Sequence, residues 1–123
     1  MQYNLILPMR AVPKGRPRFV RGKVITPRKT QDAERTIKIF AISKGVRPQP
    51  GPIEITIQLM FKKPKLAKHS YPSIGDIDNY TKLIYDALNG VAYADDSQIV
   101  KAITTKSYGS EDLIVIEIKP FVT

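Results

Sequence analysis

Five aspartates, Asp76, Asp78, Asp86, Asp95 and Asp96, crowd a short stretch of an otherwise basic chain. Asp76 and Asp78 are two residues apart, so an extended backbone leading into a helix projects both carboxylates to one side. Asp95 and Asp96 follow just past that helix, from where a return toward its N-terminus is geometrically open. Carboxylates that converge repel one another, and at least one pKa rises unless a hard cation lies between them. Mg²⁺, with Mn²⁺ as a substitute, is the expected cation, because it takes oxygen ligands and bridges carboxylates to phosphate. Zinc would prefer ligands this chain lacks, since there is one histidine and no cysteine. The chemistry this set suits is phosphodiester hydrolysis, in which a bound water is activated and charge on the leaving oxygen is offset. Lys82 stands one turn beyond Asp78, where its ammonium could reach a scissile phosphate.

Each of these residues also has a plainer reading. Asp78 stands where a helix N-cap belongs, Asp95-Asp96 suits a solvated turn, and Lys82 suits an exposed i,i+4 pair with Asp78 or Asp86. Asp86 reads as structural on the polar face of that helix. Tyr80 falls on its apolar face, and His69 reads as an exposed, incidental histidine in a basic loop. Taken singly, the structural reading is the simpler one in every case.

The charge distribution separates the two views. The chain carries 20 Lys and Arg against 11 Asp and Glu, a net +9, yet residues 76–96 hold five aspartates and one lysine. A basic surface attracts a polyanion by neutralising phosphates and releasing counterions, whereas clustered carboxylates repel phosphate unless a divalent cation intervenes. The combination points to nucleic acid plus metal. Phosphate contacts are expected from Lys14, Arg16, Arg18, Arg21, Lys23, Arg28 and Lys29 near the N-terminus, and from Lys62, Lys63, Lys65 and Lys68 ahead of the acidic stretch. The absence of cysteine excludes disulfides, thiolate metal sites and cysteine nucleophiles. No apolar run approaches the roughly 20 residues that cross a bilayer and the start lacks a signal-peptide pattern, so a cytoplasmic location without membrane contact is expected.

Positioning these groups falls to a small set of elements. With 123 residues the chain forms one domain, spanning 1–123. Tyr3, Leu5 and Leu7 mark a first strand stopped at Pro8, and residues 19–25 read as a basic hairpin about a glycine turn. Thr30 or Asp32 is placed to cap a helix whose Ala33, Ile37, Phe40, Ala41 and Lys44 share a face, with Gly45 as its stop. Ile53, Ile55, Ile57, Leu59 and Phe61 alternate with Glu54, Thr56, Gln58 and Met60, the clearest strand in the chain. Residues 62–75 form a basic, Pro-containing loop. Tyr80, Leu83, Ile84, Ala87 and Leu88 then share one face of a second helix closed by Asn89-Gly90. Segments 99–108 and 112–121 read as the two arms of a hairpin. The whole is an α+β domain, a small mixed β-sheet with two main helices packed on it.

The run from Asp76 through Asp78-Asn79 to Lys82, then Asp86-Ala87-Leu88-Asn89, then Asp95-Asp96-Ser97-Gln98-Ile99, closely resembles the RusA family of Holliday junction resolvases. The basic opening Pro13-Lys14-Gly15-Arg16-Pro17-Arg18-Phe19 is also similar to that of many members. The resemblance implies metal-binding carboxylates at Asp76, Asp78 and Asp96, an adjacent acidic residue at Asp95 and a catalytic lysine at Lys82. It further implies a homodimeric, magnesium-dependent endodeoxyribonuclease that nicks opposing strands of a four-way DNA junction symmetrically, in recombination and repair, with no small-molecule substrate. The segment Ser70-Tyr71-Pro72-Ser73-Ile74-Gly75 differs from the corresponding loop of other members and leaves sequence preference unread. Two alternatives remain from the residues alone: a non-catalytic nucleic-acid-binding module, and a nuclease for other branched DNA or structured RNA.

Overall fold

The computed structural model describes residues 1–122. Its main sheet is built from β1 (Tyr3–Leu7), β4 (Ile53–Lys62), β5 (Ile99–Gly109) and β6 (Leu113–Pro120), and β2 (Arg18–Val20) with β3 (Lys23–Ile25) makes a separate two-stranded ribbon. Two helices, α1 (Arg28–Ser43) and α2 (Ile77–Leu88), accompany the sheet. This is the α+β architecture expected, with a mixed sheet in a single domain.

The period-two pattern of β4 does what such a pattern must. Ile53, Ile55, Ile57, Leu59 and Phe61 are all buried while the residues between them are not, because successive side chains leave a strand on opposite faces. Leu5 and Leu7 of β1 and Ile114, Ile116 and Ile118 of β6 join them in one core. The helices contribute Ala33, Ile37 and Ala41 from α1 and Tyr80, Leu83, Ile84, Ala87 and Leu88 from α2. Both amphipathic stripes therefore face the sheet, and charged faces are left to solvent.

Strand pairing departs from the hairpin expected for the last two strands. The order is β1-β6-β4-β5, so β4 lies between β5 and β6. β5 runs parallel to β4, with Ile57 opposite Thr104, whereas β6 is antiparallel to both β4 and β1. Burial explains the arrangement. The alternating isoleucines of β6 are fully enclosed between β1 and β4, while β5 leaves Val100, Lys101 and Ile103 exposed and takes an edge. The turn at residues 109–112 joins strands that are not neighbours, and α2 supplies the long crossover that a parallel β4-β5 pair requires.

Helix starts also differ from those read locally. α1 begins at Arg28 behind Pro27, with no side-chain cap, and Thr30 is buried in its first turn, where its Oγ1 accepts from the Gly15 backbone N–H at 2.9 Å. Neither Thr30 nor Asp32 is the cap, because Pro27 has pre-set the backbone for helix entry. α1 ends at Ser43 ahead of Gly45 as expected, and α2 ends at Leu88 ahead of Asn89-Gly90. No helix among the described residues is long and apolar enough to cross a membrane.

Candidate active site

The acidic residues sit around the start of α2 and the short 3-10 helix Asp96–Gln98 that precedes β5. Asp76, not Asp78, is the N-cap of α2, and Asp78 lies in the helix's first turn. The two carboxylates are thus not side by side on an extended strand. Neither makes a cap hydrogen bond to the helix backbone, and both residues are exposed. The open N–H groups of the first turn and the helix dipole favour negative charge at this end, which offsets the cost of crowding two carboxylates there.

Gly75 determines how the chain reaches Asp76. Its φ is +72°, and a Cβ built there would come within 2.5 Å of the Tyr80 hydroxyl and 2.7 Å of its Cε2. The Tyr80 hydroxyl donates to the Ile74 carbonyl at 3.0 Å, its ring meets Phe61 edge-on, and Lys106 Nζ donates to the Gly75 carbonyl at 2.8 Å. The loop end is therefore clamped from the core and from β5. Gly75→Ala combines a left-handed backbone with a clash against a buried ring, and is expected to cost about 1–3 kcal/mol and to displace Asp76. Urea denaturation checks the first effect, and an unchanged midpoint would contradict this account of the loop.

Lys82 Nζ lies 3.4 Å from Asp86 Oδ1 and 3.8 Å from Asp96 Oδ2. The lysine is more than half exposed, whereas Asp86 is largely enclosed. Asp86 is enclosed because its other oxygen takes Lys14, which also lies 3.5 Å from Glu34 of α1. Lys14 is further held through its backbone N–H, which donates to the Asn79 carbonyl at 3.0 Å. Burial acts to lower the pKa of Lys14, but the hydrogen bond to Asp86 and the charges of Asp86 and Glu34 outweigh it, and the net shift is upward. A raised lysine pKa means that its contribution to stability is complete below the ordinary value of 10.5 and fades only as pH rises through the higher folded value. Lys14 thus joins α1 to α2 behind the site, with its charge engaged by carboxylates instead of offered to phosphate. No sequence pattern signals a pairing across 72 residues.

Asp95 caps the 3-10 helix, its Oδ2 accepting from the Ser97 N–H at 3.0 Å, and these hydrogen bonds hold its pKa below the usual carboxylate range. Gln98 completes the arrangement. Its Oε1 accepts from the N–H groups of Ala94 at 2.8 Å and Asp95 at 3.2 Å, while its Nε2 donates to the carbonyls of Gln49 at 2.8 Å and Gly51 at 2.9 Å. One side chain pins the acidic turn to the loop before β4. The Asp95-x-x-Gln98 spacing is a capping-box signature, so this role was readable beforehand. Asp96, freed from capping, faces Lys82. Beneath it Tyr93 is buried, with its hydroxyl donating to the Tyr85 carbonyl at 2.9 Å, and burial, reinforced by Asp96, pushes its pKa far up.

A shallow groove between α2 and edge strand β5 is lined by Ile77, Asp78, Thr81, Lys82, Tyr85 and Thr104. It opens on the exposed side of Asp78 and Lys82. The donor set, all carboxylate oxygen, is chemically matched to a hard divalent cation. Among the described residues no three carboxylates stand together as a finished metal cage. The fit is therefore one of donor chemistry, with Asp95 committed to its cap.

The remaining basic residues divide into two groups. Arg16, Arg18, Arg21, Lys23, Arg28 and Lys29 are exposed on and around the β2-β3 ribbon, and Lys62, Lys63, Lys65 and Lys68 are exposed at the end of β4 and in the following loop. Arg18 and Arg28 line a second groove together with Asp32 and Arg35 of α1, and Arg35 was not among the phosphate contacts expected. His69 is exposed and stacks on Tyr71.

A family model described as endodeoxyribonuclease RusA matches residues 8–119. The chain is also similar to a protein of Bacillus subtilis (strain 168) described as uncharacterized protein YqaN, with 29% identity over 128 residues, covering 88% of this chain and 89% of that protein.

Proposed function

Since the chain belongs to the endodeoxyribonuclease RusA family, we propose that it resolves four-way DNA junctions by metal-dependent hydrolysis, nicking opposing strands symmetrically as a homodimer. The observation that carries this reading is Lys82, an exposed ammonium held between Asp86 and Asp96 and sharing one groove with Asp78 in the first turn of α2. Asp76, Asp78 and Asp96 would hold Mg²⁺, which when bound supplies an activated water and offsets charge on the phosphate. Asp86, tethered by Lys14, acts as a positioning residue that keeps the Lys82 ammonium directed at the reacting phosphate. The exposed basic residues neutralise phosphates along the arms of the junction. A twofold dimer would present the same site at two matched positions of a twofold substrate, which is the geometry paired nicking needs.

The test mixes the protein with a labelled four-way junction and a matched linear duplex, with Mg²⁺ or with EDTA, and resolves products on a denaturing gel. Paired nicks in opposing strands are expected for the junction with Mg²⁺ only. Junction binding without nicks under any divalent metal would overturn the catalytic reading in favour of a binding module. Calorimetric titration of Mg²⁺ into the DNA-free protein, compared with Asp78→Asn, reads metal binding apart from activity.

A further inference from the structure

The β2-β3 ribbon pairs Phe19 with Val24, flanked by Arg18 with Ile25 and Val20 with Lys23. Directly opposed residues share a face and successive ones alternate, so Phe19 and Val24 occupy one face alone. The other face is turned toward the body, where Arg18, Val20 and Ile25 line the groove against Arg28 and Arg35. The outward pair is 76% and 68% exposed. The turn is tight: Arg21 and Gly22 both have positive φ, 51° and 76°, the combination of a two-residue hairpin whose twist matches its strands. A tightly turned finger thus holds an aromatic ring in solvent.

Charge identifies what covers that ring. Residues 13–31 contain seven Lys and Arg and no acidic residue, and although Lys14 is engaged by Asp86 and Glu34 and Arg28 lies 3.9 Å from Asp32, the exposed Arg16, Arg18, Arg21, Lys23 and Lys29 make a surface that attracts a polyanion. In an intact duplex the phosphates are accessible but the faces of the bases are stacked against one another. Where strands exchange at a branch point, a base can be unstacked, and it then offers an apolar plane beside phosphates. Building on the DNA-binding reading above, we propose that Phe19, backed by Val24, stacks on an unstacked base at the branch point while Arg21, at the turn, holds an adjoining phosphate. The ribbon then distinguishes junction from duplex, a task that phosphate contacts alone perform poorly.

The chain has no tryptophan, so Phe19→Trp introduces a single indole reporter at this position. Its emission is expected to be quenched by a saturating four-way junction and to change little with linear duplex. Phe19→Ala removes no core packing, and is expected to weaken junction binding about 5- to 100-fold, the range of one lost base-aromatic stack. Duplex affinity and the slope of log K against log salt should stay as they are, whereas Arg21→Ala should reduce that slope by about one. Normal junction binding with an unresponsive indole, or an equal loss on duplex and junction, would overturn the proposal alone. A shift of Phe19→Ala from dimer to monomer in sedimentation would do so too, by showing that a second copy covers the ring. Failure of the unaltered protein to bind the junction would overturn the functional reading and this proposal with it.

Discussion

Asp78→Asn is expected to reduce junction cleavage by at least about 100-fold while leaving the fold and junction affinity intact, and Asp76→Asn and Asp96→Asn are expected to do the same. Residues that merely support a metal ligand typically change affinity or activity 10- to 100-fold, which sets a lower bound for the ligands themselves. The Asn substitutions isolate the carboxylate from the fold. Asn is as good an N-cap as Asp, so Asp76→Asn keeps the start of α2. Asp78 sits in the first turn, where losing its charge forgoes a dipole interaction of only about 0.3–1 kcal/mol. Each change also removes a negative charge that faces phosphate, so binding should hold or tighten. Single-turnover cleavage and equilibrium binding, measured on the same junction, separate the two effects. A wild-type rate in any one variant would remove that carboxylate from the site.

Lys82→Ala should slow cleavage about 100- to 1,000-fold, the usual consequence of losing one preorganised donor to developing charge. Its structural effect should be slight. The residue is more than half exposed and its two ion pairs lie at 3.4 and 3.8 Å, and pairs of that kind contribute at most about 1 kcal/mol. The loss should therefore fall on the chemical step, with a modest fall in affinity from one phosphate contact. Lys82→Arg keeps the charge but replaces a compact ammonium with a wider planar group between Asp86 and Asp96, and should recover binding more fully than rate. Cleavage within about threefold of wild type in Lys82→Ala would reduce Lys82 to a surface ion pair.

Much of this protein is written in short-range spacing. The alternation of Ile53 to Phe61, the helical repeat of Tyr80, Leu83, Ile84, Ala87 and Leu88, and the crowding of aspartates between 76 and 96 are each visible within about twenty residues. They establish the α+β class, the core faces of β4 and α2, and the segment that carries the family pattern, because strand and helix periods depend only on near neighbours. Tertiary structure decided which strands pair. The last two strands, joined by a turn, read as a hairpin until β4 is found between them, since burial of the β6 isoleucines against two neighbours outweighs the short connection. It also decided which charges meet. Lys14 reads as one more phosphate contact, yet it reaches Asp86 and Glu34 and ties two helices behind Lys82. Asp76 displaces Asp78 as the cap because Gly75, clamped over Tyr80, brings the chain out of the loop two residues earlier. Contacts between residues far apart in the chain depend on how buried surfaces compete for the interior, and no local spacing encodes the outcome of that competition.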